Sequence, residues 1–281
     1  MSALTHDEVR SRIEQLGDLP TLPHIVQKLA ATIGRENVSA EDIGSLIEKD
    51  QVLSAKVLRL ANSPLYGFPA RIASVAHAVV VLGLNVVKGL TLCASAFDMM
   101  KDAGMTHLWR HSLGVAMTSH ILATRAHLRN PEELFVAGLM HDIGKVVLCV
   151  KWPDTAAKLT QGAAKLKDKD PTILEVEQAV LSLSHADVGG ALAQAWHLPT
   201  SLREPILYHH YPTLARDAAQ QTAIVHVADV IVKAMGCGNP GDDMVPVLSQ
   251  PAWEMVGLND KALAECLEQA SGEFLSIDDY L

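Results

Sequence analysis

Thirteen histidines are spread unevenly along the 281 residues, three in residues 1–105 and ten in residues 106–281. Imidazole concentrated in one part of a chain points to metal or proton chemistry there. The sharpest feature is His141-Asp142 in the segment GLMHDIGK. Val136, Ala137, Leu139 and Met140 lead into the pair and imply burial, and a buried carboxylate is costly without a counter-charge. A metal ion supplies that charge and uses the imidazole as well. Lys145 places a cation within reach of a phosphate, and Gly144 relaxes the backbone beside the pair. The plainer alternative is an aspartate capping the next helix beside a hydrogen-bonded core histidine.

Further ligands of the same kind follow. His107 and His111 lie four apart and share a helical face; His107 reads as an exposed histidine. His185 stands at a helix start after Ser184, with Gly189 and Gly190 behind it. Those glycines weaken a helix and make sense where another backbone packs closely. His209-His210 close a helix before Pro212. Asp229 sits in AIVHVADVIV, where its apolar neighbours cannot solvate a carboxylate. Each has an ordinary reading: His185 as a first-turn histidine without a partner, His209-His210 as polar residues at a helix end, and Asp229 as the partner of a buried Arg, Lys or His. Together, His111, His141, Asp142, His185, His209, His210 and Asp229 give five imidazoles, two carboxylates and no thiolate. Seven ligands exceed one structural zinc and suit two divalent ions, iron or manganese ahead of zinc, nickel or magnesium, bridged by one carboxylate. That reading requires His185 to reach the His141 site across the helices between them.

The elements that must position these residues are helical nearly everywhere. Apolar residues recur at three- and four-residue spacing, and alternating strand patterns are missing. Ile25, Val26, Leu29, Ala30 and Ile33 predict a helix over 22–34. Ser39 is an N-cap ahead of Glu41 and Asp42, with Ile43, Leu46 and Ile47 as the apolar face. Residues 51–61 form another helix, stopped by Asn62-Ser63-Pro64. Further helices are expected at about 73–82, 84–100, 106–127, 131–141, 143–150, 153–167, 171–183, 185–196, 200–210, 215–235 and 259–272. Val79, Val80, Val81, Leu82, Val86 and Val87 predict core, or a partner surface, for 73–100. Residues 236–250 are a loop rich in Gly, Pro and Asp. Asp102-Ala103-Gly104 divides an N-terminal helical half, 1–103, from a His-rich half, 104–281. The fold class is all-α.

Composition narrows the function. The net charge of −9 disfavours a broad phosphate footprint, so DNA and RNA are not expected partners. Four cysteines without C-x-x-C spacing indicate a reducing compartment. The charged N-terminus lacks a signal-peptide core, and the longest apolar run is too short for a membrane span. A cytoplasmic protein is expected.

The motifs also carry a family resemblance. The N-terminal half contains LPTLPHIVQKLA, VLRLANSPLYG and ASVAHAVVVLGL, in that order; the C-terminal half contains HDIGKVVL, SHADVGGALAQAWHLP and the His209-His210 pair. On these segments the chain resembles the HDOD family, a relative of the HD superfamily of metal-dependent phosphohydrolases, over about residues 15–235. The resemblance implies an all-α fold, either one HDOD domain with added C-terminal helices or two halves, and a bacterial signalling or regulatory role. HDOD proteins often lack the HD-type ligands. Here the seven residues resemble the ligand set of the related HD-GYP phosphodiesterases, which hydrolyse cyclic di-GMP. That comparison implies Asp142 bridging two metals and Lys145 contacting phosphate. His107 stands where some of those enzymes carry a Glu ligand, and the GYP segment has no counterpart.

Two functions follow as expectations. One is a phosphohydrolase acting on a nucleotide or cyclic dinucleotide phosphoester, with Asp142 and Lys145 as its catalytic residues. The other is a regulatory module that binds a signalling protein or a nucleotide second messenger, with a structural or vestigial metal site.

Overall fold

The computed structural model describes residues 11, 28, 39–66, 68–150, 152, 154, 158–159, 171–275 and 277. Among them are α-helices, two short 3-10 turns and no strand, so the all-α expectation holds. Apart from single positions, the helices expected over 22–34 and 153–167 lie outside the described residues.

Helix starts follow local chemistry. Ser39 caps α1 (Ala40–Ile47): its hydroxyl accepts the Asp42 N–H at 3.1 Å, and the Asp42 carboxylate accepts the Ser39 N–H at 3.0 Å. Asp50 caps α2 (Gln51–Ala61) with a single bond, its carboxylate accepting the Leu53 N–H at 3.0 Å. Asn62 then closes the loop that follows. Its side chain donates to the carbonyls of Leu58 (2.8 Å) and Ile72 (2.9 Å) and accepts the Ile72 N–H (2.8 Å). Ser74 caps α3 (Val75–Leu82), Gly83 breaks it at a φ of +88°, and α4 (Leu84–Asp102) begins directly. α1 lies against α3 and α2 against α4. The valine run is core on one face only. Val75, Ala78 and Leu82 are buried, whereas Val80 is 73% exposed and Val81 41%.

α5 (Thr106–Arg125) is the axis of the His-rich part. Its side chains from Leu108 to Ala123 are buried, Arg110 being half-buried. The cause is neighbours on every side: α4, α6 (Pro131–Met140), α11 (Ala219–Ala234) and α13 (Asp260–Phe274). Pro131 opens α6 in its first turn, where a missing N–H costs nothing. α7 (Ile143–Val150) follows the His141-Asp142 turn. Capping boxes at Thr172 and Ser184 start α8 (Ile173–Leu181) and α9 (His185–Ala195). α10 (Thr200–Tyr208) ends at His209.

α11 starts at Ala219, later than the sequence pattern predicts. Pro212–Leu214 forms a 3-10 turn, and buried Glu204 of α10 accepts the N–H groups of Arg216, Asp217 and Ala218. One carboxylate thus fixes α10 to the start of α11. Residues 236–249 are a loop as expected, but Gln250–Val256 forms α12, which the loop-like composition of this segment hid. Ser249 caps it and Pro251 sits in its first turn. A single hydrophobic cluster runs from Ile43 to Ile277 and draws on both halves. Among the described residues no helix is long and apolar enough to cross a membrane.

The halves meet where Tyr66 stands edge-on to His120 of α5 at 5.5 Å and tilts against Phe135 of α6 at 5.3 Å. Burial pushes the His120 imidazole down to about 4. A base whose pKa is depressed by folding binds its proton more readily in the unfolded chain. Its stabilisation is therefore complete above about pH 6.5 and is lost as pH falls towards 4. Urea unfolding at pH 7 and pH 4.5 should show His120→Phe losing roughly 2 kcal/mol less than the unsubstituted chain over that interval. Parallel losses in the two proteins would remove His120 as the cause.

Candidate metal centre

Three junctions and two helix interiors converge on one point. His111 comes from the second turn of α5 and Asp229 from the interior of α11. His141 and Asp142 occupy the α6–α7 turn, and Lys145 the first turn of α7. His185 is the first residue of α9, and His209-His210 follow the last residue of α10. His111, His141, Asp142, His185, His209 and Asp229 are each at most 4% exposed, and His210 is half-buried. The structure therefore brings all seven sequence-predicted residues together, and His185 reaches the site. His107 is exposed and joins none of these groups; its carbonyl accepts the Asn239 N–H at 3.1 Å.

The residues form two triads joined by a third group, His141, Asp142 and His209, each group with its ligand-type atoms within 4.8 Å of one another. One is His111, His141 and Asp229; the other is His185, His209 and His210. Asp142 spans them. Its Oδ2 lies 3.3 Å from His141 Nε2 and 3.8 Å from His111 Nε2. Its Oδ1 lies 3.1 Å from His185 Nε2 and 3.9 Å from His209 Nε2. One carboxylate oxygen faces each triad.

Hydrogen bonds on the outer ring nitrogens set the inner ones. His141 Nδ1 donates to the Gly138 carbonyl at 2.7 Å and His209 Nδ1 to the Ile206 carbonyl at 3.0 Å. With the single proton of a neutral ring assigned to Nδ1 by these carbonyls, each Nε2 turns a lone pair to the centre. His141 Nε2, both His111 ring nitrogens and Asp142 Oδ1 are buried without a hydrogen-bond partner. Orphaned polar atoms are costly, and here they cluster. His185 Nε2 lies 2.9 Å from His210 Nε2 and 3.4 Å from His209 Nε2. Metal–nitrogen bonds of about 2.0–2.1 Å place neighbouring ligand nitrogens about 2.9–3.4 Å apart, so the residues fit a metal ion.

The charges agree. Burial opposes ionisation of Asp142, but His141 and Lys145 outweigh it and hold the carboxyl well below the usual range. Burial likewise opposes a charge on Asp229, and the imidazole of His111, 3.0 Å away, overcomes it together with that of His141. Burial drives His209 and His210 well below an ordinary imidazole. His185 is the exception: burial lowers it, yet the charge and hydrogen bond of Glu177 and the nearby Asp142 carboxylate raise it to about 9. Lys145 Nζ lies 2.8 Å from Asp142 Oδ2, on the oxygen that faces the His111 triad.

Two residues of the site escaped the sequence reading. Glu177 of α8, 1% exposed, accepts from His185 Nδ1 at 2.6 Å and from the His185 backbone N–H at 2.8 Å. Its signal was position: it falls four residues after Ile173 and four before Leu181, on the apolar face of α8. His226 of α11 donates from Nδ1 to the His209 carbonyl at 2.7 Å and accepts the Ser249 N–H on Nε2 at 3.0 Å. It lies one turn before Asp229, a spacing that carries no meaning in sequence alone.

The chain matches the HDOD domain over residues 19–212. It belongs to the HDOD family. An HDOD domain protein of unknown function from Geobacter sulfurreducens is 30% identical, with 97% of each chain covered and a TM-score of 0.73. A Shewanella amazonensis protein named a "putative phosphohydrolase" shares the fold at 24% identity and a TM-score of 0.68, over 96% of this chain and 98% of that one. An "uncharacterized protein" of Treponema pallidum is 28% identical over 206 residues, 70% of this chain. This HDOD chain spans 38% of that relative's length.

Close backbone contact builds the centre. Gly138 of α6 faces α5, where a Cβ would lie 2.8 Å from the Val115 carbonyl oxygen and the Ala116 Cα. Gly144 sits in an ordinary helical conformation, so the backbone freedom expected of it is not used. Its lack of a side chain is used instead: a Cβ would collide with the His185 carbonyl and come 2.8–2.9 Å from the His185 C and the Gly189 N. Gly144→Ala should therefore separate α7 from α9, cost about 1–3 kcal/mol in urea unfolding and reduce metal uptake. Gly272→Ala, with open space around it in α13, is the control and should be neutral or stabilising. Equal midpoints for the two variants would refute the close-contact account.

Proposed function

We propose that this HDOD protein is a metal-dependent phosphohydrolase acting on a nucleotide or cyclic dinucleotide phosphoester in bacterial signalling. The observation that carries the reading is the pair of triads with one oxygen of Asp142 turned to each. His111, His141 and Asp229 would hold one divalent ion, and His185, His209 and His210 the other. Two such ions lower the pKa of bound water and neutralise charge on a phosphoryl group. Iron or manganese suits a set of imidazole and carboxylate donors without thiolate.

The chain's own residues do the rest. Asp142 holds the two triads in register. His141 and His209 keep their donor nitrogens inward because backbone carbonyls take the opposite protons. Lys145, its charged state favoured by Asp142 against the cost of burial, sets an ammonium at the edge of the site, where it would meet a phosphoryl oxygen. Near-complete burial of the ligands limits bulk water.

A second reading rests on α3, which turns Val80 and Val81 to solvent in the N-terminal half. It is a regulatory module that binds a signalling protein there, with the metal site structural. Elemental mass spectrometry on protein purified without chelator should give about two equivalents of iron or manganese per chain, lost in His141→Ala. Asp142→Asn should reduce release of phosphate or nucleotide from cyclic dinucleotides and phosphomonoesters to the background rate. Metal-free protein even after reconstitution would overturn the two-ion reading. Two bound ions with no turnover, and partner control intact in Asp142→Asn, would select the regulatory module.

A further inference from the structure

The two triads are not equivalent. The first contains a carboxylate, Asp229, whose Oδ1 lies 3.0 Å from His111 Nε2 and 3.9 Å from His141 Nε2. The second is all imidazole, and among the described residues no anion but the shared Asp142 stands within ligand distance of it. Three neutral rings and one shared oxygen balance a divalent ion poorly. The missing charge stands one bond further out. Among the second triad's rings, His209 leans on a neutral backbone carbonyl, while His185 leans on the carboxylate of Glu177.

Glu177 is built for that contact. It comes from α8, which contributes no ligand, and is carried inward on an otherwise apolar face. Its Oε2 takes both the ring N–H of His185 at 2.6 Å and the backbone N–H of the same residue at 2.8 Å. The two bonds fix the ring's tautomer, its rotation and the start of α9. A carboxylate behind a ligand histidine makes the inner nitrogen a stronger donor, and removing such a partner typically weakens metal binding by about 10–100-fold. α8 itself is anchored: the Asp242 carboxylate accepts the Ile173 N–H at 2.7 Å and an ion pair from Lys233 of α11 at 2.7 Å.

We infer that Glu177 is the positioning residue and outlying counter-charge of the ion held by His185, His209 and His210, supplying from behind the charge that Asp229 supplies directly to the other ion. This rests on the two-ion reading above. It predicts a selective effect. Glu177→Gln keeps the length and an oxygen for the backbone N–H but removes the charge. It should weaken one ion by about 10–100-fold and leave the other at wild-type affinity.

The test is titration of chelator-stripped protein with Co2+, followed by ligand-field absorbance and by ion count after gel filtration. Two backgrounds separate the sites. In His111→Ala, which spares the all-imidazole triad, adding Glu177→Gln should lower the affinity of the remaining ion. In His210→Ala, which spares the other triad, it should change nothing. Circular dichroism melts of the metal-free proteins check folding. Should Glu177→Gln fail to fold, the unsubstituted protein loaded with Zn2+ gives a second measurement. The His185 Nδ1 proton should then resonate strongly downfield and exchange slowly. Fewer than two ions in the unsubstituted protein would refute the two-ion reading. Two ions held equally well by Glu177→Gln, or no such proton, would overturn the role of Glu177 and leave that reading standing.

Discussion

Asp142 is a carboxylate with 1% of its surface exposed, placed where α6 turns into α7. Moving one charge out of water costs several kcal/mol after relaxation. Lys145, at 2.8 Å, offsets one negative charge. Asp229 and Glu177 add two more buried carboxylates within the same cluster of imidazoles. At an effective dielectric of about 20, two charges about 4 Å apart interact by about 4 kcal/mol, so a single ammonium cannot balance three carboxylates. Further positive charge is required. Without metal it is a proton: the imidazoles of His141 and His185 are raised, against the cost of their burial, by Asp142 and Glu177 respectively. Divalent ions meet the same demand more fully and use the lone pairs that protons on two rings would leave facing each other.

That demand shapes the scaffold. The seven residues come from α5, the α6–α7 turn, the start of α9, the end of α10 and α11, and each element is fixed to a neighbour close to the residue it carries. Gly138 lets α6 approach α5 three residues before His141, and Gly144 lets α7 approach α9 at His185. Glu204 binds α10 to the start of α11, and His226 returns from α11 to the His209 carbonyl. Buried polar groups of this sort carry high stakes, because a half-satisfied network costs more than an apolar core. Here the carboxylates Glu204 and Glu177 and the His226 ring each find more than one role, so few groups hold the centre together.

Much of this could be read in the sequence, for a physical reason. A buried HD pair, a helix-start His, an HH helix end and an Asp in an apolar helix each violate the rule that interiors exclude charge, and violations are visible without a structure. Ser39 and Ser184 were legible because capping is local chemistry. The residues that were missed act through tertiary contact. Glu177 looks like any acid on a helix until His185 is seen behind it. α12 was hidden by the Gly, Pro and Asp before it, although Ser249 and Pro251 are ordinary start signals. The sequence leaves Val80 and Val81 between core and partner surface because the run around them is apolar on every face; only the packing of α3 against α1 and α4 decides which face meets solvent.

The same packing bears on how the N-terminal half relates to the metal centre. Lys88 of α4, 4% exposed, donates at 2.9 Å to the carbonyl of His197, which follows α9 in a left-handed conformation at a φ of +50°. Burial lowers the Lys88 pKa, so this ammonium stays in an unfavourable place to hold that one carbonyl. A second link runs from Tyr66 to His120 on α5, the helix that carries His111. Close-packed interiors transmit displacement rather than absorb it. α9 is tied to α4 through the segment just after its end, and α5 to the Pro64–Tyr66 turn. Of these helices, α9 carries a residue of the all-imidazole triad and α5 a residue of the triad containing Asp229. In the regulatory reading, the exposed valines of α3, which packs directly on α4, are the surface a partner would meet.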